Sequence, residues 1–305
     1  RKGLYVDHFY GNSVQTSKGH FATLFSLIPS MRGLVYTKYD KVQFNSLGQV
    51  LTNHGYNSVF FQAHDDLGFN NTKPFLIKNG FAEVRSASEF MQPADSPYLT
   101  EWGLEDSVFY RRFFDYVDQK HQMSAGSAPQ FFVLATITNH CWFELPPHRQ
   151  LVVENPKTLV ERYSNTLRLM DDGLRVFFSE LEKRNLDDGI VIITGDHSFP
   201  LGDHGLASIE TGFYEESFRI PFLILWKGKV APERVSQMPY SQIDIAPTII
   251  DMLGVPIRQH HFLGTSIFRT PREVRSVFLV QPYGGTYLSV VHYPYKYMLQ
   301  MRRKT

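Results

Sequence analysis

The chain has 305 residues, 43% hydrophobic and 20% charged, with a formal net charge of +1. That balance fits one sizeable α/β domain or two small ones, and it argues against a polyanion-binding surface, so no nucleic-acid partner is expected. The single cysteine, Cys141, excludes an internal disulfide and leaves the compartment open, and no apolar run reaches transmembrane length.

In chain order, "RKGLYVDHFY" carries no leader and reads as the middle of a domain, so a fragment is expected, with any anchor or targeting segment outside it. "SVQTSKGHF" (13–21) then separates an aromatic segment from the apolar "FATLFSLIP", through which a helix is expected to run from Thr16 or Ser17. "SLGQVLTNHG" (46–55) predicts a helix closed by Gly55, and "YNSVFFQAH" (56–64) a buried strand. The stretch 86–97 ("SASEF", "PADSP") reads as a loop, as does "SAGSAPQ" (124–130). "QFFVLATITNH" (130–140) is a second strand. From Pro156 to Arg184, Val160, Tyr163, Leu167, Met170, Leu174, Phe177 and Leu181 recur at threes and fours and predict a long amphipathic helix. Strands follow at 189–197 and 220–226, a helix at 244–254 and a strand at 276–283; "TYLSVVHYPYKYML" then reads as an antiparallel hairpin.

The nearly continuous apolar character of the first four strands suits a sheet covered on both faces. The expected fold is a three-layer α/β/α sandwich with a mostly parallel central sheet and a small C-terminal antiparallel portion. Residues 1–275 are expected to form the main domain and 276–305 a hairpin or small subdomain of the same unit.

Three strand ends carry polar residues of one kind: His64, Asp65 and Asp66; Asn139 and His140; Asp196 and His197. Ligands in α/β sheets gather at strand carboxyl ends. An adjacent Asp and His leaving a strand are able to share one metal ion, and O and N donors suit zinc or manganese. Each pair alone reads equally as a turn; the three together point to one polar site. At the start of the chain, Thr16 or Ser17 is either an ordinary helix cap or a nucleophile placed at a helix N-terminus, with Lys18 a candidate for neutralising a phosphate. A second "DH", Asp203-His204, follows the first.

In this order, "GLYVDHFYGNSVQTSKGHFATLFSLIPS", "GIVIITGDHSFPLGDHG", "FRIPFLIL" and "YSQIDIAPTIIDMLGV" resemble the sulfatase and phosphotransferase branch of the alkaline phosphatase superfamily over most of residues 3–268. Within it, the pattern is similar to lipoteichoic acid synthases and related phosphoglycerol transferases. The resemblance implies Thr16 as nucleophile and metal ligand, with Asp196 and His197 on one divalent ion, Mn2+ in first place and Zn2+ or Mg2+ as alternatives. It implies His140 on the phosphoglycerol, as ligand or acid, and His64 and Asp66 on the glycerol part, with Lys18, Asn71 and His204 as further substrate contacts. "YLTEWGLEDSVFYRRFFDYV", with Trp102, Gly103 and Asp106, also looks like a family segment.

Departures are visible. Phe69 and Asn71 stand near the places of the family's headgroup-binding tryptophan and arginine, and Leu201 stands where a serine is usual. The family's acidic metal ligand ends a strand that would precede residue 1. A threonine at position 16 speaks against sulfatase chemistry, which needs Cys or Ser for conversion to formylglycine. The resemblance implies a transferase acting on a phospholipid or other phosphodiester, at the outer face of a bacterial membrane and without an obligate protein partner. A phosphodiesterase, sulfatase-like hydrolase or phosphoethanolamine transferase on the same fold, and a non-catalytic binding domain, are the competing readings.

Overall fold

The computed structural model describes residues 3–66, 68–123, 128–146, 148–256, 261–269, 275–283 and 287–300. Its strands are β1 Leu4–Val6, β2 Phe9–Tyr10, β3 Asn57–Gln62, β4 Glu83–Ser86, β5 Gln130–Ala135, β6 Val191–Thr194, β7 Phe222–Leu225, β8 Glu233–Val235, β9 Tyr240–Ser241, β10 Val277–Gln281, β11 Tyr287–His292 and β12 Tyr295–Gln300. Its α-helices are α1 Thr16–Phe25, α2 Val35–Lys38, α3 Leu47–Asn53, α4 Thr72–Lys78, α5 Ala87–Phe90, α6 Asp106–Met123, α7 Leu159–Lys183 and α8 Ile245–Met252. None of the helices among the described residues is long and apolar enough to cross a membrane.

The fold is an α/β sandwich whose chain forms two compact units, residues 1–47 with 188–305, and residues 48–187. In the first unit, β6, β7, β1 and β8 lie side by side in that order, with β7 antiparallel to both neighbours and β1 parallel to β8. This sheet is therefore mixed. Leu4, Val6, Phe9, Ile220, Phe222, Ile224, Tyr240 and Ile245 form the core beside it. β10, β11 and β12 make an antiparallel meander. Its inner face, Val277, Leu279 and Val291, packs on Tyr10, Val14 and Phe218, so the C-terminal strands share the core of this unit.

In the second unit, β4, β3 and β5 are all parallel. Phe61 of β3 is surrounded by the rings of Phe90, Phe113, Tyr116 and Phe132. β3 is buried, whereas β5 and β6, each the terminal strand of its sheet, are only partly covered. Apolar composition alone does not distinguish a central strand from a terminal one.

Helix α7 begins just after the Thr158 cap, where Thr158 and Glu161 form a reciprocal capping box. The expected apolar stripe is mostly half-buried and Val160 is exposed. The closest approach is at Gly173, where an added Cβ would stand 2.9 Å from Asp106 Cβ. The stretch expected as a loop over 86–97 holds α5 and a 3-10 turn at Pro93–Tyr98, each opened by a capping box. The loop expected over 124–130 lies mostly outside the described residues.

Candidate active site

In the first unit, α1 starts at Thr16, and the residue before it, Gln15, makes no side-chain cap bond. The Thr16 hydroxyl is turned to the end of β6: Oγ1 lies 3.5 Å from His197 Nε2 and also bonds the Asp196 carboxylate. Ser17 is buried, and its Oγ finds no partner among the described residues. The two hydroxyls thus separate: one faces the strand end, the other the core.

His197 Nδ1 lies 2.9 Å from the Ser198 carbonyl, so Nδ1 carries the proton and donates. That tautomer leaves the Nε2 lone pair toward Thr16 and toward Asp196 Oδ2, 3.7 Å away. Burial disfavours the charged form of Asp196, but electrostatic interaction with the His197 and His20 imidazoles and the hydrogen bond from Thr16 outweigh it, and its pKa falls below the usual carboxylate value. His20 sits one helical turn after Thr16, on the same face, and burial lowers its pKa against the pull of Asp196.

Several residues fix this arrangement. A Cβ on Gly19 would lie 2.1 Å from the Asp196 carbonyl oxygen, so only glycine lets α1 press this closely on the end of β6. Gln242 Nε2 donates to the carbonyls of Gly195 (3.1 Å) and Asp196 (2.6 Å), while its Oε1 accepts from the Asn12 backbone N–H. Asn12 Nδ2 and Ser13 Oγ donate to the Phe278 and Val280 carbonyls, tying the approach to Thr16 onto β10. Sequence reasoning missed Gln242 and His20. Helical spacing from Thr16 signals His20, whereas nothing local marks Gln242.

Lys18 is fully buried, and its Nζ donates to the Met31 carbonyl at 3.3 Å. Burial, then the charge of Lys38, lowers its pKa to about 8. It projects from the side of α1 away from Thr16 and is not brought to Asp196 and His197. His204 lies on the loop after β6. Its Nδ1 is 2.8 Å from Glu216 Oε1, and its ring stacks on Tyr214 at 4.0 Å and 4°.

In the second unit, Trp102 joins two of the sequence-predicted histidines. Its ring centroid is 4.1 Å from that of His140 and 6.3 Å from that of His64. Gly103, at φ +147°, permits this, since a Cβ there would lie 2.2 Å from the Ala63 carbonyl oxygen. Asp106 is buried at the start of α6, and its Oδ1 accepts from the N–H groups of Ile137 and Thr138, which shapes the turn carrying Asn139 and His140. Burial raises the pKa of Asp106 despite these bonds. His140 Nδ1 lies 2.6 Å from the Cys141 carbonyl. His64 is in the other tautomer, for its Nδ1 accepts from the Asp66 N–H at 3.0 Å. Asp66 is exposed and caps the Gly68 N–H, and Asn71 sits at the start of α4 with φ +62°.

The Asp196 carboxylate, His197 Nε2 and the Thr16 hydroxyl lie together and could hold a cation. No group of three or more His, Cys, Asp or Glu that could hold a metal occurs among the described residues; the third donor of this set is a hydroxyl. Oxygen and imidazole donors, with the far imidazole nitrogen on a backbone carbonyl, fit one divalent ion.

The chain is 27% identical over 296 residues to a lipoteichoic acid synthase-like protein of Bacillus subtilis, covering 90% of this chain and 46% of the relative. It is also 27% identical over 277 residues to a lipoteichoic acid synthase of Staphylococcus saprophyticus, covering 86% of this chain and 41% of the relative. The chain thus spans less than half the length of these relatives. A crystal structure of the lipoteichoic acid synthase LtaP from Listeria monocytogenes superposes with a TM-score of 0.79 at 19% identity, covering 96% of this chain and 76% of that one. An alkaline phosphatase superfamily protein from Vibrio parahaemolyticus superposes with a TM-score of 0.80 at 19% identity, covering 98% and 69%. Residues 1–255 match the sulfatase family model, and the chain belongs to the sulfatase family.

Proposed function

We propose that this chain is the catalytic part of a metal-dependent phosphoglycerol-type transferase, acting on a phospholipid headgroup through a covalent phosphoester on Thr16. The observation that carries this reading is the placing of the Thr16 hydroxyl against Asp196 and His197, with Ser17 turned into the core. The likeness to lipoteichoic acid synthases along most of the chain supports the substrate class. Mn2+ is the ion proposed, and Zn2+ or Mg2+ suits the same donors.

Bound at Asp196, His197 and Thr16, the ion would lower the pKa of the hydroxyl and offset charge on the phosphoryl oxygens. Thr16 Oγ1 attacks phosphorus, the bond from phosphorus to the lipid oxygen breaks, and the departing alcohol takes up a proton. His140 is assigned to the phosphate or to that proton, and His64 and Asp66 to the glycerol part. An acceptor hydroxyl then displaces Thr16. The α1 N-terminus adds favourable partial charge at the phosphoryl oxygens. The same reading sets the domain outside a bacterial membrane.

Thr16→Ala in the full chain is expected to lower turnover of a phosphodiester by about a thousandfold or more, with the thermal midpoint nearly unchanged. Ser17→Ala is expected to retain activity. Turnover persisting in Thr16→Ala would remove the nucleophile from this account.

A further inference from the structure

Resting on the transferase reading above, we propose that His204, held by Glu216 and Tyr214, is the base that takes the proton of the acceptor hydroxyl when the group leaves Thr16. The loop that carries it leaves β6 at Asp196 and His197 and returns at Phe218. The Phe218 carbonyl accepts from the Gly11 N–H at 2.7 Å, and a Cβ on Gly11 would lie 3.6 Å from His197 Cα. Midway, Gln281 Nε2 donates to the carbonyls of Ile209 (3.1 Å) and Gly212 (2.8 Å). Two residues on, the Tyr283 hydroxyl accepts from Gln15 Nε2 at 2.6 Å, beside Thr16. Both ends and the middle of the loop are therefore fastened to the elements that present Thr16 and His197.

The dyad itself is built for proton transfer. Glu216 Oε1 takes the Nδ1 proton at 2.8 Å, which leaves Nε2 as an acceptor and puts a carboxylate behind the imidazolium that would form. The Tyr214 ring lies parallel at 4.0 Å and fixes the imidazole plane. The His204 side chain is 55% exposed while that of Glu216 is 16% exposed, so the base is open and its partner covered. His204 has φ +52°, uncommon for a residue with a side chain, and the loop around it is closed by bonds between Gly202 and Leu206 and between Leu206 and Asp203. His197 is engaged elsewhere, its Nδ1 with the Ser198 carbonyl and its Nε2 toward Thr16.

As the group leaves Thr16, the acceptor oxygen bonds to phosphorus, the bond from phosphorus to Thr16 Oγ1 breaks, and the acceptor proton passes to His204 Nε2. The Thr16 oxygen regains a proton through solvent, and His204 returns to its neutral form. The acceptor is an uncharged hydroxyl, an alcohol or water. Glu216 and Tyr214 are positioning residues.

The test uses the full chain with Mn2+, a nitrophenyl phosphodiester as donor and glycerol as acceptor. In His204→Gln the initial burst of nitrophenol should stay within about twofold, while steady-state turnover falls about a hundredfold. The phosphoester should accumulate on the Thr16 peptide by mass spectrometry, and Glu216→Gln should slow the same phase by less. Equal loss of burst and turnover, or neither changing, overturns the role of His204. Absence of any burst in the unmodified chain, or turnover in Thr16→Ala, overturns the transferase reading itself.

Discussion

At the scale of single residues, a few small choices set the chemistry. The two tautomers are opposite: His197 donates through Nδ1, and His64 accepts there. Each is set by a backbone group one or two residues on in sequence, and each fixes which nitrogen carries the proton. Gly19 is the tightest constraint, with a prospective Cβ 2.1 Å from the Asp196 carbonyl oxygen. Gly19→Ala is expected to lower stability by about 1–3 kcal/mol through overpacking and to slow turnover more than stability alone explains, because Thr16 moves with the helix. Thermal unfolding and kinetics together check this; unchanged turnover would mean that the contact between α1 and the end of β6 does not set the nucleophile. Thr16, Asp196 and His197 were legible because each sits at a helix start or strand end. Gln242, which grips the Gly195 and Asp196 carbonyls, was not, because its partners lie far off in sequence. Lys18, whose charge suggested a phosphate, ends at the Met31 carbonyl, a partner equally remote from any local pattern.

At the scale of elements, one of the bidentate ion pairs of the second unit fastens a helix to a turn. Arg112 of α6 donates to both oxygens of Asp95 at 2.7 Å, joining α6 to the 3-10 turn Pro93–Tyr98. Burial works against ionised Asp95, but the bonds from Arg112 and from the Gln92 N–H prevail and hold its pKa below the usual carboxylate value. A depressed carboxylate contributes stability above its unfolded pKa and loses it as pH falls through the folded one. Arg112→Met should therefore cost about 3–5 kcal/mol at pH 7, and its deficit against the parent should shrink as pH drops below about 4. A deficit that stays constant from pH 7 to pH 3 would contradict this. Most longer elements were readable from apolar periodicity. The short strands β1, β2, β8 and β9 were not, since two or three residues carry no period. The helix α5 was overlooked although "SASE" supplies its capping box, with Ser86 and Glu89 in the two roles.

At the scale of the whole molecule, the α/β class followed from alternating strands and helices, but the mixed order of the β6-β7-β1-β8 sheet did not. Strand pairing is set by contacts between residues far apart in sequence, such as Leu4 with Ile224 and with Glu233. The meander β10-β11-β12 was foreseen as a hairpin; its role in holding Asn12 and Ser13 came only from the fold. A metal joined to Asp196, His197 and Thr16 stabilises the fold that binds it. Mn2+ should raise the thermal midpoint by a few degrees at saturation, a chelator should reverse that, and Asp196→Asn should abolish it. The central claim, that Thr16 carries the transferred group, is tested most directly by acid-quenching the full chain during turnover of a phosphoglycerol donor and mapping the modified peptide by mass spectrometry. The account predicts a phosphoglycerol ester on Thr16; turnover with the group on Ser17 or another residue, or with no modified residue, would contradict it.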